Sequence, residues 1–103
     1  MPKPISEEWY KAAEAWTDLE SAATLLEETK SAVFSQWCYE QGDMSVSKAE
    51  MLVRASSRWE DHVRKIVAAR TAANKAKIKT EFWKMRFWEG QSKDANNRLE
   101  AKL

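Results

Sequence analysis

An all-α fold, organised as a long antiparallel two-helix hairpin that assembles into a homo-oligomeric helical bundle, follows from three observations. The 103-residue chain has two glycines, Gly42 and Gly90, and two prolines, Pro2 and Pro4, so nothing breaks a helix between Ser6 and Gln41 or between Ser47 and Glu89. Apolar residues recur every three or four positions along both stretches. Six tryptophans, Trp9, Trp16, Trp37, Trp59, Trp83 and Trp88, give a short chain a great deal of apolar surface to hide. One domain over 1–103 is expected, with helices at about 6–41, 47–89 and 92–102.

The first helix is expected to begin at Ser6 as N-cap, with Ile5 and Tyr10 as a hydrophobic staple and Glu7 and Glu8 favourably placed in the dipole's first turn. Its inward stripe reads Trp9, Ala12/Ala13, Trp16, Leu19, Ala23, Leu26, Lys30, Val33 and Trp37, with Lys30 the one polar intruder, and Gly42 ends it. Ser47 with Glu50 forms a capping box for the second helix, and Val46 with Met51 a second staple. Leu52, Ala55/Ser56, Trp59, Val63 and Ile66 mark its face. Glu50/Arg54, Glu60/Arg64 and Asp61/Lys65 are i,i+4 pairs in the favourable order. Beyond Gly90, Ser92 is the expected cap of a last short helix.

A short connection centred near Met44 makes the two helices antiparallel neighbours whose facing residue numbers sum to roughly 88, because both rise equally per residue. That register sets Trp16 against Ala69, Ala72 and Ala73, Trp9 near Ala76, Trp59 opposite Thr29 and Lys30, and Trp37 opposite Met51 and Leu52. A hairpin buries one stripe per helix, yet Leu25, Phe34, Tyr39, Val53 and Val67 fall off the main faces, and residues 82–88 point aromatics in nearly every direction. Surplus apolar surface of this kind marks an interface. A homo-oligomer is therefore expected, a dimeric four-helix bundle at minimum or a ring, with Leu25, Phe34, Tyr39, Phe82, Met85 and Phe87 at its seam.

The net charge is +1, but it is sharply divided: residues 1–43 carry three basic and nine acidic side chains, and residues 44–103 carry fourteen basic and seven acidic. Arg64, Lys65, Arg70, Lys75, Lys77, Lys79, Lys84 and Arg86 are opposed within their stretch only by Glu81. Cations interleaved with aromatic rings suit single-stranded nucleic acid, with Lys75, Lys77, Lys79, Lys84 and Arg86 on phosphates and Trp83 and Trp88 stacked on bases. The competing expectation is that the basic half lies beside Glu7–Glu28 and the two halves neutralise each other. Lys75, Lys77 and Lys79 cannot all face the first helix, so some positive charge should remain outward.

Catalysis has little to rest on. His62 is the single histidine, Glu60-Asp61-His62 lacks helical metal-ligand spacing, Cys38 has no activating base nearby, and no glycine-rich phosphate loop exists. No enzyme activity, cofactor or metal is expected. A lone cysteine, no apolar run of membrane-spanning length, and no hydrophobic signal region over 1–6 make the cytoplasm the expected compartment, without membrane contact.

The run Ala68-Ala69-Arg70-Thr71-Ala72-Ala73-Asn74-Lys75, then residues 81–89 around Phe82, Trp83, Met85, Phe87 and Trp88, then Ala95-Asn96-Asn97-Arg98-Leu99-Glu100, resembles small helical proteins of tailed bacteriophages found among recombination and replication genes. The resemblance covers about residues 64–103. It implies an accessory protein of phage DNA metabolism in the host cytoplasm, similar to a recombination mediator: a non-enzymatic oligomer that contacts single-stranded DNA and helps load a recombinase. Two other functions fit the same features. One is a protein-binding inhibitor or adaptor that sets the Phe82–Trp88 patch against a host or defence protein. The other is a purely structural assembly protein.

Overall fold

The computed structural model describes residues 4–102, with side chains to Ala101; Pro2 and the extreme ends of the 1–103 domain lie outside them. Its elements are α1 (Ile5–Tyr39), α2 (Val46–Ala55) and α3 (Ser57–Lys102), with no strand among the described residues. The result is a rod of 83 × 24 × 17 Å. Forty-six residues of α3 account for about 69 Å of that length at 1.5 Å per residue.

Helix α1 starts one residue earlier than Ser6. Pro4 is the N-cap, and its carbonyl accepts from the Glu7 and Glu8 N–H groups at 3.1 and 3.2 Å, so no side-chain cap is used. Tyr10 is 68% exposed, which removes the Ile5–Tyr10 staple. The helix stops at Tyr39, and Gly42 then takes a φ of 92°, the left-handed conformation glycine adopts without steric cost. The expected inward stripe is largely in place, except that Leu19 and Lys30 are exposed and the half-buried Thr29 takes the position of Lys30. A long lysine gains more from water than from the seam, and a turn of the helix offers Thr29 as the neighbour.

The second helix differs most from expectation. Ser45, not Ser47, is its N-cap, accepting from the Lys48 N–H at 3.3 Å, and both members of the Val46/Met51 staple are exposed. The helix then breaks at Ser56, which has ψ 145°. Its N–H donates to the Val53 carbonyl at 3.0 Å and its hydroxyl to the same oxygen at 2.6 Å, while its Oγ accepts from the Trp59 N–H at 3.2 Å. One serine thus ends α2 and caps α3. This break turns Val53, expected off the main face, into the most deeply buried large side chain of the core, beside Ala49 on the same face of α2.

The independent α2 also resets the register. Trp9 packs on Phe87 with ring centroids 5.3 Å apart, and Trp37 on Trp59 at 5.8 Å, so facing numbers sum to 96 rather than 88. Trp9 meets Phe87 instead of Ala76, and Trp37 meets Trp59 and His62 instead of Met51 and Leu52. The shift is close to two helical turns, which leaves each stripe facing inward and changes only its partners. On α3 the seam runs Trp59, His62, Ile66, Ala69, Ala73, Ala76, Thr80, Trp83, Phe87, Gly90, every one buried or half-buried. That unbroken 3-4 spacing is the narrow stripe of a coiled coil. Ala23 and Ala73, both 0% exposed, share one level, where small side chains let the helices approach.

Gly90 does not end a helix, and Ser92 does not start one: α3 runs on through both. Glycine stops a helix only by leaving the right-handed conformation, and among the described glycines Gly42 alone has positive φ. Because α1 begins at Ile5, no other described helix lies alongside α3 beyond about Gln91, and residues 91–101 are all exposed.

Candidate nucleic-acid interface

The seam of α3 decides where its cations and rings point. Lys75, Lys79, Phe82, Arg86 and Lys93 follow one another at steps of three, four or seven residues, and so form one row along the outside of the helix. Lys77 and Lys84, seven apart, lie on the opposite flank in line with Arg70, with Trp88 one turn beyond Lys84. All seven of these lysine, phenylalanine and arginine side chains other than Arg70, together with Trp88, are exposed. Among the described residues no ion pair engages Lys75, Lys77, Lys79, Lys84 or Arg86. The five expected phosphate ligands are therefore outward but divided between two rows.

The aromatic residues divide as well. Trp83 turns into the hairpin: it is half-buried, its indole Nε1 is buried without an acceptor, and Phe82 meets it edge-on at 5.3 Å. Phe87 is held by Trp9, with Trp88 edge-on at 5.6 Å outside it. The exposed aromatic faces of the segment thus belong to Phe82 and Trp88. Of the other residues expected at an oligomer seam, Phe34 packs on Trp59 at 5.0 Å with the Arg54 guanidinium 5.0 Å from its ring centroid, while Leu25, Tyr39 and Met85 stand exposed.

Charge neutralisation between the halves is local. Arg70 reaches across to α1, where its Nε and Nη2 donate to Glu27 at 2.9 and 2.6 Å and its Nη1 donates to Glu20 at 2.6 Å. Thr24 Oγ1 accepts a further, longer bond of 3.4 Å. The fork from Arg70 holds the Glu27 carboxyl below the usual carboxylate range and, with the Glu20 bond, pushes the guanidinium further up. Arg58 makes the other cross-helix pair, 2.9 Å to Glu40, with its guanidinium 3.9 Å over the Trp37 ring. The acidic half of the chain therefore occupies Arg58 and Arg70 and, among the described residues, forms no ion pair with the cations from Lys75 to Arg98.

Sequence reasoning missed Lys93 as the continuation of the outer row and Arg70 as a structural clamp. The first was visible as Lys75, Lys79, Arg86, Lys93 at helical spacing, hidden by the assumption that Gly90 ended the helix. The second needed the true register. His62 is wedged between Trp37 and Trp59 at 5.3 and 5.6 Å, and its Nε2 is buried without a partner. Cys38 is half-buried, and among the described residues no group of His, Cys, Asp and Glu could hold a metal ion. No described helix is long and apolar enough to cross a membrane. No family model matches the chain, and neither a curated protein nor a solved structure matches it.

Proposed function

We propose that the chain is a non-enzymatic, oligomeric accessory protein of phage DNA recombination or replication that contacts single-stranded DNA along α3. The observation that carries this reading is the row Lys75, Lys79, Arg86 and Lys93, exposed and without ion pairs among the described residues, with the Phe82 ring standing in it. Its cations contact phosphates and Phe82 offers a π-face to a base; Lys77 and Lys84 add positive potential from the other flank. Trp83, inside the hairpin, positions this segment rather than stacking on a base. The phage setting, the cytoplasmic location and a recombinase as partner rest on the resemblance of residues 64–103.

The test is fluorescence anisotropy of a labelled single-stranded oligonucleotide titrated with the protein at 50 and 200 mM salt. Four phosphate contacts, at a slope of about −0.7 each, give an affinity loss of about fifty-fold across that range. Lys75→Glu with Lys79→Glu should abolish the salt-sensitive binding while the helical circular dichroism stays. Absence of binding at either salt overturns the reading and leaves a protein-binding adaptor, for which the exposed Trp88 face is the surface to test.

A further inference from the structure

Past the hairpin seam, α3 carries a second stripe of the same kind on nearly the opposite face. Ile78, Glu81, Met85, Trp88, Ser92, Ala95 and Leu99 repeat with strict 3-4 spacing. All are exposed, Ile78, Met85, Trp88 and Leu99 at 55–66%. A shallow groove of about 860 Å³ runs along this face, lined among others by Met85, Trp88, Ser92 and Asn96. Three of its seven residues, Ser92, Ala95 and Leu99, lie on the part of α3 that α1 does not reach. An unaccompanied helix of about a dozen residues is marginal in water, and this one contains Gly90 just inside its root.

We infer that this face is the seam of a parallel, in-register dimer with a second copy of the chain, centred on Met85, Trp88, Ala95 and Leu99. The inference deepens the oligomeric part of the function proposed above and does not depend on DNA binding. Charge complementarity chooses both the occupant and its direction. With Met85, Ser92 and Leu99 at a and Trp88 and Ala95 at d, Lys84 falls at g and Glu89 at e. A parallel pair sets Lys84 of each copy against Glu89 of the other, twice by symmetry, and Gln91 against Asn96 one heptad on. An antiparallel pair instead brings Glu89 against Glu89 and Lys84 near Arg98, so like charges meet on both flanks. The arrangement leaves each α1 on the outside of the dimer. Lys75, Lys79 and Arg86 flank the pair rather than entering it, while Ser92 at an a position is the polar element that favours one register. The earlier seam residues are reassigned accordingly: Met85 belongs to it, Phe34 and Phe87 are used within the hairpin, and Trp88 and Leu99 are added.

Two measurements on the full chain decide it. Sedimentation equilibrium should give twice the 11.9 kDa chain mass, and Trp88→Lys, a change at an exposed position, should return the monomer mass with unchanged helical circular dichroism. A monomer mass for the unsubstituted protein at about 100 μM, or a dimer indifferent to Trp88→Lys, overturns the proposal. In a Cys38→Ser, Ala95→Cys chain, mild oxidation should yield a covalent dimer, because a parallel pair puts the two thiols in one layer. An antiparallel pair holds them about 15 Å apart along the axis, beyond disulfide reach, so a dimer that fails to cross-link overturns the orientation. Repeating the DNA titration on Trp88→Lys separates the two readings: a monomer that still binds DNA shows that the seam and the basic row act independently.

Discussion

The two ends of the hairpin are built differently. At the turn end, Phe34, Trp37, Trp59 and His62 form one ring cluster, Arg54 and Arg58 lie over its faces, Glu40 ties Arg58 down, and α2 adds Val53 and Ala49 as a lid. At the open end Trp9 and Phe87 make a single ring pair, two indole N–H groups, of Trp16 and Trp83, are buried without acceptors, and α3 then leaves α1 altogether. Aromatic residues are plentiful at both ends. What differs is how many neighbours the chain itself supplies, and the end with fewer is the one that carries the row from Lys75 to Lys93 and the second apolar stripe. The ring cluster around Trp59 and the outward-facing residues centred near Lys84 are in this way separated by about 38 Å along one helix.

The sharpest way to break that comparison is to truncate one tryptophan at each end. Trp59→Ala removes the ring on which Phe34, Trp37 and His62 all pack, and should lower unfolding free energy by about 3–5 kcal/mol. Trp9→Ala removes one ring contact and should cost about half as much. Urea unfolding followed by circular dichroism measures both, and equal losses would mean that the open end is as tightly built as the turn.

Arg70 sits between the ends and staples them in register. Arg70→Gln breaks the fork to Glu27 and the bond to Glu20, and should shift the urea midpoint downward at pH 7. Glu27 is held below the usual carboxylate range mainly by that fork, so its contribution is complete above the unfolded value near about 4.3. It is lost as pH falls through the lower folded value. The midpoint difference between the two proteins should therefore be full at pH 7 and shrink as pH falls through the lowered folded value of Glu27. A difference that persists in acid would assign the effect of Arg70 to its packing instead.

Ser56 tests how the turn end acquires its lid. Ser56→Ala removes the oxygen that caps α3 through Trp59 N–H and should cost about 1 kcal/mol, with α2 loosening before the ring cluster does. Amide exchange should show faster opening at Ala49–Val53 than at Ile66–Ala73. If instead α2 and α3 merge into one straight helix, stability would hold and Val53 would move out of the core.

Much of this architecture was legible in the residues, and the failures share a cause. The inward stripe of α1 and the turn at Gly42 follow from local periodicity and backbone chemistry. Register does not, because a slip of seven or eight residues, close to two turns, restores nearly the same face, so the stripes fit a sum of 88 as well as 96. With the register went the partners of Trp9 and Trp37 and the clamp on Arg70. Ser56-Ser57 followed by Glu60 and Asp61 is a helix-start signal, obscured by Ser56 fitting the apolar face as a small residue. At the candidate interface the basic composition was readable, but neighbours such as Phe82 and Trp83 differ by only about 100° around the helix. Which of them faces solvent was settled by tertiary packing.

Gly90 gives the smallest expected effect and the finest test of the open end. It lies about three-quarters of the way along α3 with right-handed backbone, and a Cβ built there meets nothing within 4 Å. Nothing in the hairpin requires the glycine, so its consequence is a locally weakened helix at the root of the overhang. Gly90→Ala should stabilise the isolated chain by about 0.5–1 kcal/mol, chiefly through backbone entropy. Where the gain appears is the informative part. If residues 91–101 are supported only by their own helix, slower amide exchange should appear there and in a monomeric Trp88→Lys background. If a second copy already holds the overhang straight, the same substitution should change exchange little in the dimer and strongly in that background.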